Sequence, residues 1–286
     1  MRKHTYYLIF LLILFIVVSL TISIFANYNE PFSDNSTTLI THIYNESYLL
    51  PFWLTHHKKM FDNIIIIDYN STDNSVEICR EICPDCKIIT SRNETFDAVQ
   101  VDKEVMDIEN TVSGIKMCLN VTEFLFCNTP VKNVFENLNE PSTFSVKSYS
   151  PYSKIEYNVN SCSDLFRNLL NDDIVFHYDR GDRQIHTFSN GNYTTGRHET
   201  NNPSSSTLDN MFIIWLGYYP FNESLLERKL QIQKNMPLSD KQKRLGHQHL
   251  LTKQEMIDVL NNKTKDGQPL EKINSKLHKL IHNYKE

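Results

Sequence analysis

Several classes of protein are excluded by what this sequence lacks. It has no stretch in which lysine and arginine are interleaved with aromatic residues, and its net charge is −5 with an isoelectric point near 6.1. Polynucleotides are bound through such basic surfaces, so we expect no nucleic acid partner. With 286 residues, of which 40% are hydrophobic, the chain can bury a substantial core, and we expect one large domain.

The cysteines do not complete a metal-binding motif. Cys83 and Cys86 have the C-x-x-C spacing of zinc and redox sites, but no second C-x-x-C follows. A zinc or redox protein built on these two residues and Cys79 is therefore the weakest interpretation. A disulfide involving Cys83 or Cys86 is compatible with a domain in an oxidising compartment.

Charge is also absent from residues 5–26, which are apolar almost throughout. A helix needs about 20 such residues to cross a bilayer. Because basic residues flanking an anchor stay in the cytosol, Arg2 and Lys3 predict a single-pass type II membrane protein whose domain lies in the ER or Golgi lumen. The alternative is a cleaved signal peptide, whose apolar part is usually about 7–15 residues long. The predicted division is a tail at 1–4, the anchor at 5–26 and a polar stem at 27–38.

Three apolar runs beyond the stem carry clusters of polar residues. The runs cover residues 39–44, 64–68 and 115–126, and helix-like segments separate them. This pattern predicts an α/β domain with buried parallel strands. Ligands of such sheets bind beyond the carboxyl ends of the strands, where these clusters are expected. The clusters are Asn45-Glu46, Asp68-Tyr69-Asn70-Ser71-Thr72-Asp73 and Asn120-Val121-Thr122-Glu123.

Two of these clusters resemble motifs of GT-A glycosyltransferases, specifically of family 2-like and family 92-like enzymes. The first is a strand followed by Asn45-Glu46 and an amphipathic helix containing Trp53. The second, from Asp68 to Asp73, is similar to the Asp-x-x-Ser-x-Asp turn of those enzymes. The resemblance covers residues 37–126 well and residues 170–252 loosely.

This resemblance implies a fold and an activity. The fold would be a Rossmann-like GT-A domain with a mixed, mostly parallel sheet flanked by helices. Its nucleotide half would cover about 39–126 and its acceptor half about 127–252, and helices at 253–286 would follow. The activity would be transfer of a sugar from a nucleotide sugar, a UDP-sugar in the first instance, to a hydroxyl acceptor on a glycan or glycoconjugate.

The resemblance also implies which residues contact the nucleotide-sugar donor. Asp68 or Asn70 would bind the base and ribose. Arg92 would face the pyrophosphate, the alternative being a solvated loop arginine. The implied donor-binding residues are Asn45, Glu46, Asp68, Asn70, Asp73, Arg92, Asp97, Asn120 and Arg228.

The sequence departs from the metal motif of similar enzymes. They hold a divalent metal with Asp-x-Asp, often followed by Glu-Phe, but here Asn120 and Thr122 stand at the aspartate positions and only Glu123 and Phe124 keep the pattern. The resemblance then implies weak, nucleotide-dependent binding of Mn²⁺ or Mg²⁺ through Glu123, Thr122 and His249. The rival interpretation is a catalytically inactive binding or scaffold protein that has lost the motif.

The acceptor half has fewer recognisable patterns. Strands around residues 174–178 and 184–188 are expected to form a hairpin through the turn at 179–183. His198 or Glu199 is the candidate base that deprotonates the acceptor hydroxyl. The open alternative is that the polar segment carrying them is a plain surface loop.

Glycosylation sequons begin at Asn45, Asn70 and Asn120, inside the clusters predicted to bind the donor. Either these sequons are unused, or the domain faces the cytosol and never meets the glycosylation machinery. We expect the first, because the charges flanking the anchor are the more direct signal. Modification at the outlying Asn35 or Asn262 would support a lumenal domain.

Overall fold

The computed structural model describes residues 36–135, 140–178, 180–243, 245–246 and 249–285. The predicted tail and anchor, and most of the predicted stem, lie outside these residues. Within them, no helix is both long enough and apolar enough to cross a bilayer.

Strands and helices alternate in residues 36–127, which we call the N-terminal half. The strands follow the predicted apolar runs, and a further strand lies at Lys87–Thr90. In chain order the elements are β1 (Thr37–Ile43), α1 (Leu50–His57), β2 (Asn63–Asp68), α2 (Ser75–Ile82), β3 (Lys87–Thr90), α3 (Ala98–Glu109), β4 (Ile115–Cys118) and β5 (Glu123–Cys127).

Residues 140–285, which we call the C-terminal half, contain longer strands and end in helices. A short 3-10 helix at Val131–Phe135 precedes this half. Its elements are β6 (Thr143–Tyr152), α4 (Cys162–Asn168), β7 (Val175–His177), β8 (Arg183–His186), β9 (Ser204–Trp215), α5 (Glu223–Lys234), α6 (Leu238–Lys243), α7 (Lys253–Asp266), α8 (Leu270–Ile273) and α9 (Ser275–His282).

In the described part of the chain, all nine strands join one sheet in the order β3-β2-β1-β4-β8-β6-β9-β5, with β7 paired to β6. The prediction of a mixed α/β sheet flanked by helices is confirmed. The prediction that it is mostly parallel holds for β1 to β4 only. Four pairings are parallel and four are antiparallel: those among β1 to β4 are all parallel, whereas those that involve β5 to β9 are antiparallel except for β6 with β9.

The central strands are apolar throughout because helices cover both faces of the sheet. Alternate side chains of a strand point to opposite faces. Accordingly, Ile64 and Ile66 of β2 join the core formed with α1 and α2, whereas Ile65 and Ile67 join a second core formed with α3.

The single parallel strand predicted at residues 115–126 is wrong. The chain turns after β4, where the Asn120 backbone N–H donates to Glu123 Oε2 at 2.8 Å and the Glu123 N–H donates to Asn120 O at 2.8 Å. After this turn β5 runs to the far end of the sheet, where it pairs antiparallel with β9.

The predicted hairpin around residues 179–183 is also wrong. β7 and β8 both pair with β6 rather than with each other, β7 at Ser150–Tyr152 and β8 at Thr143–Val146. The link between them therefore connects two segments that lie along the same partner strand. This arrangement brings Arg180 and Arg183 close to the carboxyl end of β4.

Three side chains of α1 bind the backbone of β5, the strand that ends the sheet. Trp53 Nε1 donates to Glu123 O at 3.0 Å, His56 Nε2 lies 2.6 Å from Leu125 O, and His57 Nε2 accepts from Leu125 N at 3.1 Å. The spacing of these residues places them on one face of the helix. Both histidines are thus structural, and burial lowers the pKa of His56 to about 4.

The C-x-x-C segment forms a disulfide between Cys83 and Cys86. The two thiols that a zinc site would require are therefore bonded to each other. Cys79 is buried, and burial raises the pKa of its thiol to about 12. Among the described residues, no group of three or more histidine, cysteine, aspartate or glutamate side chains is placed to hold a metal.

Candidate functional site

A cavity of about 400 Å³ opens at the carboxyl ends of β1 and β4. Ligands of open α/β sheets bind at this position. Residues from both halves of the domain line the cavity. Its polar lining comprises His42, Glu46, Asp102, Asn120, Thr122, Arg180, Arg183, Thr195, Arg197, His198, Arg228, Lys229, Asp240 and His249, and its aromatic lining comprises Phe96 and Trp215.

About half of the sequence-predicted site residues meet at this cavity. Glu123 lies directly behind the lining, bound to Arg183, and Asp97 caps α3 beside the lining residue Ala98. The predicted residues in the lining itself are Glu46, Asn120, Thr122, His198, Arg228 and His249.

Except for Glu46, the polar loops after β1 and β2 lie outside the cavity lining, and they bind each other. Asn45 Oδ1 accepts from the Thr72 N–H at 2.7 Å, and Asp73 Oδ2 accepts from the Ser47 N–H at 3.1 Å. Asp68 Oδ1 accepts from the N–H of Ser71 at 3.0 Å. Asn45, Asp68, Asn70 and Asp73 therefore do not line the cavity, although the sequence predicted them as donor-binding residues.

Arg92 also lies outside the cavity lining. Its side chain is 52% exposed and forms an ion pair with Asp107. Its backbone N–H donates to Glu104 Oε1 at 2.8 Å. Arg92 is therefore a solvated loop arginine, which was the alternative to a residue that faces the pyrophosphate.

Three buried ion pairs join the two halves across the cavity. In each pair an arginine of the C-terminal half binds a carboxylate of the N-terminal half. Arg183 Nε donates to both oxygens of Glu123 at 2.9 Å. The three pairs are Arg183 with Glu123, Arg197 with Asp102, and Arg228 with Glu46.

The residues predicted to bind a metal do not fit that role. Both oxygens of Glu123 accept from Arg183, and Oε2 also accepts from the Asn120 N–H. Burial alone would raise the pKa of Glu123, but Arg183 outweighs burial and lowers it to about 2. The carboxylate is thus ionised and already neutralised by a guanidinium. His249 is a buried neutral imidazole of the cavity lining, its pKa lowered by burial.

His198 is held in one orientation by Arg183. Its Nδ1 lies 3.1 Å from Nη1 of Arg183, which is always a donor, and 3.3 Å from Asp182 O, which is always an acceptor, so Nδ1 has a partner in either tautomer. Burial and the nearby Arg183 lower the pKa of His198 to about 4. Such a ring is a poor base near neutral pH.

An open, polar groove of about 530 Å³ adjoins the cavity, sharing Arg180 and His198 with it. Two carboxylates, Asp182 and Glu199, line this groove. Asp182 accepts from the Tyr178 hydroxyl at 3.0 Å, and burial raises its pKa. The other side chains that line the groove are Ser145, Tyr178, Gln184, Thr200 and Ser204.

Lys229 is the cavity cation with the most unusual surroundings. It is 1% exposed, and its Nζ lies 4.3 Å from the centre of the Tyr218 ring and 5.7 Å from that of Trp215. Arg180 lies over the same indole at 4.2 Å. Within the described residues Lys229 forms neither a hydrogen bond nor an ion pair. Burial, together with Arg228 and Arg180, lowers its pKa to about 7.

Sequence reasoning missed Asp102, Arg183, Arg197 and Lys229 as residues of the site. For the first three no local pattern distinguishes a buried charge from an exposed one. Lys229 had a usable signal, because it shares the apolar face of α5 with residues three or four positions away. The buried residues of this face are Leu225, Leu226, Lys229 and Ile232.

No family model and no curated protein matches this chain. Several solved structures resemble it at low identity. TarS residues 1–349 from S. aureus in complex with UDP-GlcNAc has a TM-score of 0.37 at 12% identity, over 85% of this chain and 77% of that one. The complex of TarS with UDP has a TM-score of 0.39 at 13% identity, over 70% and 65% of the two chains.

A further similar structure is glucosyl-3-phosphoglycerate synthase from Mycobacterium tuberculosis with Mn²⁺ and UDP-glucose. Its TM-score is 0.30 at 12% identity, over 41% of this chain and 44% of that one. The chain thus spans less than two thirds of this synthase and of TarS in its UDP complex. Similarity at these scores does not assign the chain to a family.

Proposed function

We propose that this protein is a glycosyltransferase with a GT-A-like fold that moves a sugar from a UDP-sugar to a hydroxyl group of a glycan or glycoconjugate. The observation that carries the proposal is the cavity at the carboxyl ends of β1 and β4. Its lining combines cationic side chains, which suit a diphosphate, with the ring of Phe96, which suits a nucleobase. Phe96 is stacked on Tyr69 with ring centres 4.5 Å apart, so its position is fixed before a ligand binds.

The adjoining groove supports an acceptor site next to the donor. A sugar acceptor presents several hydroxyl groups, and the groove offers carboxylate, amide and hydroxyl partners for them. Because the groove and the cavity share Arg180 and His198, an acceptor in the groove would meet a donor sugar at their junction.

The transfer requires a base for the acceptor hydroxyl. The hydroxyl oxygen forms a bond to the anomeric carbon, whose bond to the diphosphate oxygen breaks and leaves its electron pair on the nucleoside diphosphate. The hydroxyl proton passes to a carboxylate of the groove. His198 is a weak candidate because its Nδ1 is already in contact with Arg183 Nη1 and Asp182 O. Asp182 and Glu199 remain, and we take Asp182 because the Tyr178 hydroxyl holds its carboxylate in the groove and burial raises its pKa.

A binding or scaffold protein is the second candidate. The observation favouring it is that Glu123, at the position of the metal motif, is neutralised by Arg183. Both candidates bind a nucleotide sugar, but only the enzyme consumes it.

The experiment is a melting screen of the full-length protein in detergent against nucleoside diphosphates and nucleotide sugars, followed by an assay of UDP release. A ligand at 100 times its dissociation constant stabilises the folded state by about 2.7 kcal/mol. If no nucleotide shifts the melt, the donor site is refuted. A shift without UDP release under any tested acceptor identifies the binding protein.

Two matched variants then locate the base. Asp182→Asn should lower the rate constant of turnover about 100-fold or more, whereas Glu199→Gln should change it little. UDP affinity should stay the same in both, since neither residue lines the cavity. The reverse order of effects would assign the base to Glu199.

We further propose the lumenal, type II arrangement. The Cys83–Cys86 disulfide supports it, because such bonds persist in oxidising compartments. Glycosidase treatment tests it: we expect glycans at the exposed Asn262 but none at Asn120, whose side chain is bonded to Arg197 and Glu123. A chain without any glycan would favour the cytosolic alternative.

A further inference from the structure

The cations of the cavity differ in whether a carboxylate neutralises them. Arg183, Arg197 and Arg228 each bind a buried carboxylate from the N-terminal half. Lys229, adjacent to Arg228 in α5, binds none among the described residues. It is nevertheless as buried as the three arginines and lines the same cavity.

Burying an ammonium group without a counter-ion is unfavourable, so its surroundings indicate how it is tolerated. The faces of Tyr218 and Trp215 supply part of the compensation as cation–π contacts. Both rings leave the three N–H donors of the ammonium without a hydrogen-bond acceptor. Water or a ligand in the cavity must therefore supply the acceptors, and an anionic ligand would also supply the missing counter-charge.

The chemistry of that ligand follows from the charges around it. Arg180 lies 4.2 Å from the same indole ring, so two cationic side chains of the lining converge on Trp215. A diphosphate carries several anionic oxygens and accepts hydrogen bonds from both kinds of cation. The carboxylate that would hold a divalent cation beside it is instead occupied by Arg183.

We propose that Lys229 binds the diphosphate of the donor and that the site takes up its donor without a divalent cation. The proposal rests on the proposed function. When the bond between the anomeric carbon and the diphosphate oxygen breaks, the electron pair stays on that oxygen, and the ammonium of Lys229 stabilises the charge while keeping its proton. Lys229 is then a donor-binding residue that also stabilises the leaving group.

The test is calorimetric titration of the full-length protein with UDP, uridine and inorganic pyrophosphate, each with EDTA and with added Mn²⁺. For the wild type we expect the UDP dissociation constant to be the same within about twofold in EDTA and in Mn²⁺. Loss of UDP binding in EDTA would overturn the proposal. Failure to bind UDP under either condition would overturn the proposed function as well.

Variants of α5 test the residue. Lys229→Met keeps the length and apolar contacts of the side chain but removes the charge, and it should weaken UDP binding roughly 10- to 100-fold. Uridine, which lacks the diphosphate, should bind as it does to the wild type. Pyrophosphate should bind detectably to the wild type and more weakly to Lys229→Met, which separates recognition of the diphosphate from recognition of the base.

Two further variants serve as controls. Lys229→Arg retains a cation and should recover part of the UDP affinity, whereas Lys234→Met removes an exposed lysine of the same helix and should have no effect. Replacing a buried charge by a hydrophobic residue is often neutral or stabilising, so Lys229→Met should melt no lower than the wild type. If it does not fold, Lys229→Gln takes its place. Unchanged UDP affinity in a folded, uncharged variant would refute the role of Lys229.

Discussion

The two sides of the cavity have opposite chemistry. The N-terminal half contributes carboxylates, whereas the C-terminal half contributes the arginines that bind them and the additional cations Arg180 and Lys229. Asp240 is the exception among the lining carboxylates, and it too reaches across, accepting from the Ala98 N–H at 2.8 Å. The halves are therefore joined through the candidate site itself.

This asymmetry indicates what the site can bind. Since the carboxylates of the N-terminal half are already neutralised, they have little capacity left to attract a cation. The C-terminal side retains the positive charge of Lys229 and suits an anion. A site that resembles a metal-dependent one in sequence thus has the electrostatics of an anion site.

The largest expected effect comes from breaking one cross-half ion pair. Arg183→Met leaves the carboxylate of Glu123, only 1% exposed, without its partner, and we expect a loss of about 3–5 kcal/mol in the free energy of unfolding. Urea denaturation measures it. Adding Glu123→Leu should restore much of the loss, because the unpaired charge is then removed.

An exposed ion pair provides the control for this experiment. Arg80 and Glu77 lie 3.8 Å apart with both side chains about two-thirds exposed. Arg80→Met should change the free energy of unfolding by less than about 1 kcal/mol. Similar losses in Arg80→Met and Arg183→Met would contradict the idea that the cross-half pairs hold the domain together.

A somewhat smaller effect is expected from acid. The pKa of Glu123 falls from 4.5 to about 2 on folding, so the carboxylate stabilises the folded state above pH 4.5, and this contribution is lost as the pH falls toward 2. One pKa unit is about 1.4 kcal/mol, so the contribution is about 3 kcal/mol. Glu123→Gln lacks it, and the stability difference between wild type and variant should shrink by that amount between pH 5 and pH 2. Parallel stability curves would show that Arg183 does not lower this pKa.

The smallest effect concerns a neutral contact between the halves. Asn222 caps α5 by accepting from Leu225 N at 3.0 Å, and its Nδ2 donates to the Tyr48 hydroxyl at 2.7 Å. Tyr48→Phe should cost about 1 kcal/mol in thermal unfolding, and Asn222→Ala about 1 kcal/mol more because it also removes the cap. A loss in Tyr48→Phe as large as that in Arg183→Met would mean that charge is not what distinguishes the cross-half contacts.

The N-terminal half was largely predictable because its pattern is local. The run at 39–44 became β1 at Thr37–Ile43, and the run at 64–68 became β2 at Asn63–Asp68. Both strands are built on apolar runs, the pattern expected of strands that are buried on both faces of a sheet. The break between β4 and β5 was missed because it depends on the hydrogen bonds of one turn, between Asn120 and Glu123.

The site itself was less predictable because its bonds join distant parts of the chain. Glu123 and Arg183 are 60 positions apart, Asp102 and Arg197 are 95 apart, and Glu46 and Arg228 are 182 apart. Local periodicity carries no information about such partners. The sequence placed Glu46, Asn120 and Arg228 at the site but could not show that Glu46 and Arg228 bind each other.

The contact of α1 with β5 has a consequence for association between molecules. A sheet edge with unpaired N–H and C=O groups is a template on which another chain can add a strand. His56 and His57 bind both backbone groups of Leu125 in the edge strand, whose sequence Phe124-Leu125-Phe126 is apolar. The two imidazoles thus take the place of a missing strand.

This protection depends on the protonation of one ring. His57 Nδ1 lies 2.9 Å from Trp53 O, to which it donates, so Nε2 accepts from Leu125 only while the ring is neutral. Burial lowers the pKa of His57 well below its usual value and keeps the ring neutral at physiological pH. Strong acid would protonate Nε2, which would then be a donor facing the Leu125 N–H donor, and the hydrogen bond would be lost. The apolar edge would then be open to edge-to-edge aggregation, a form of failure separate from loss of the cavity's ion pairs.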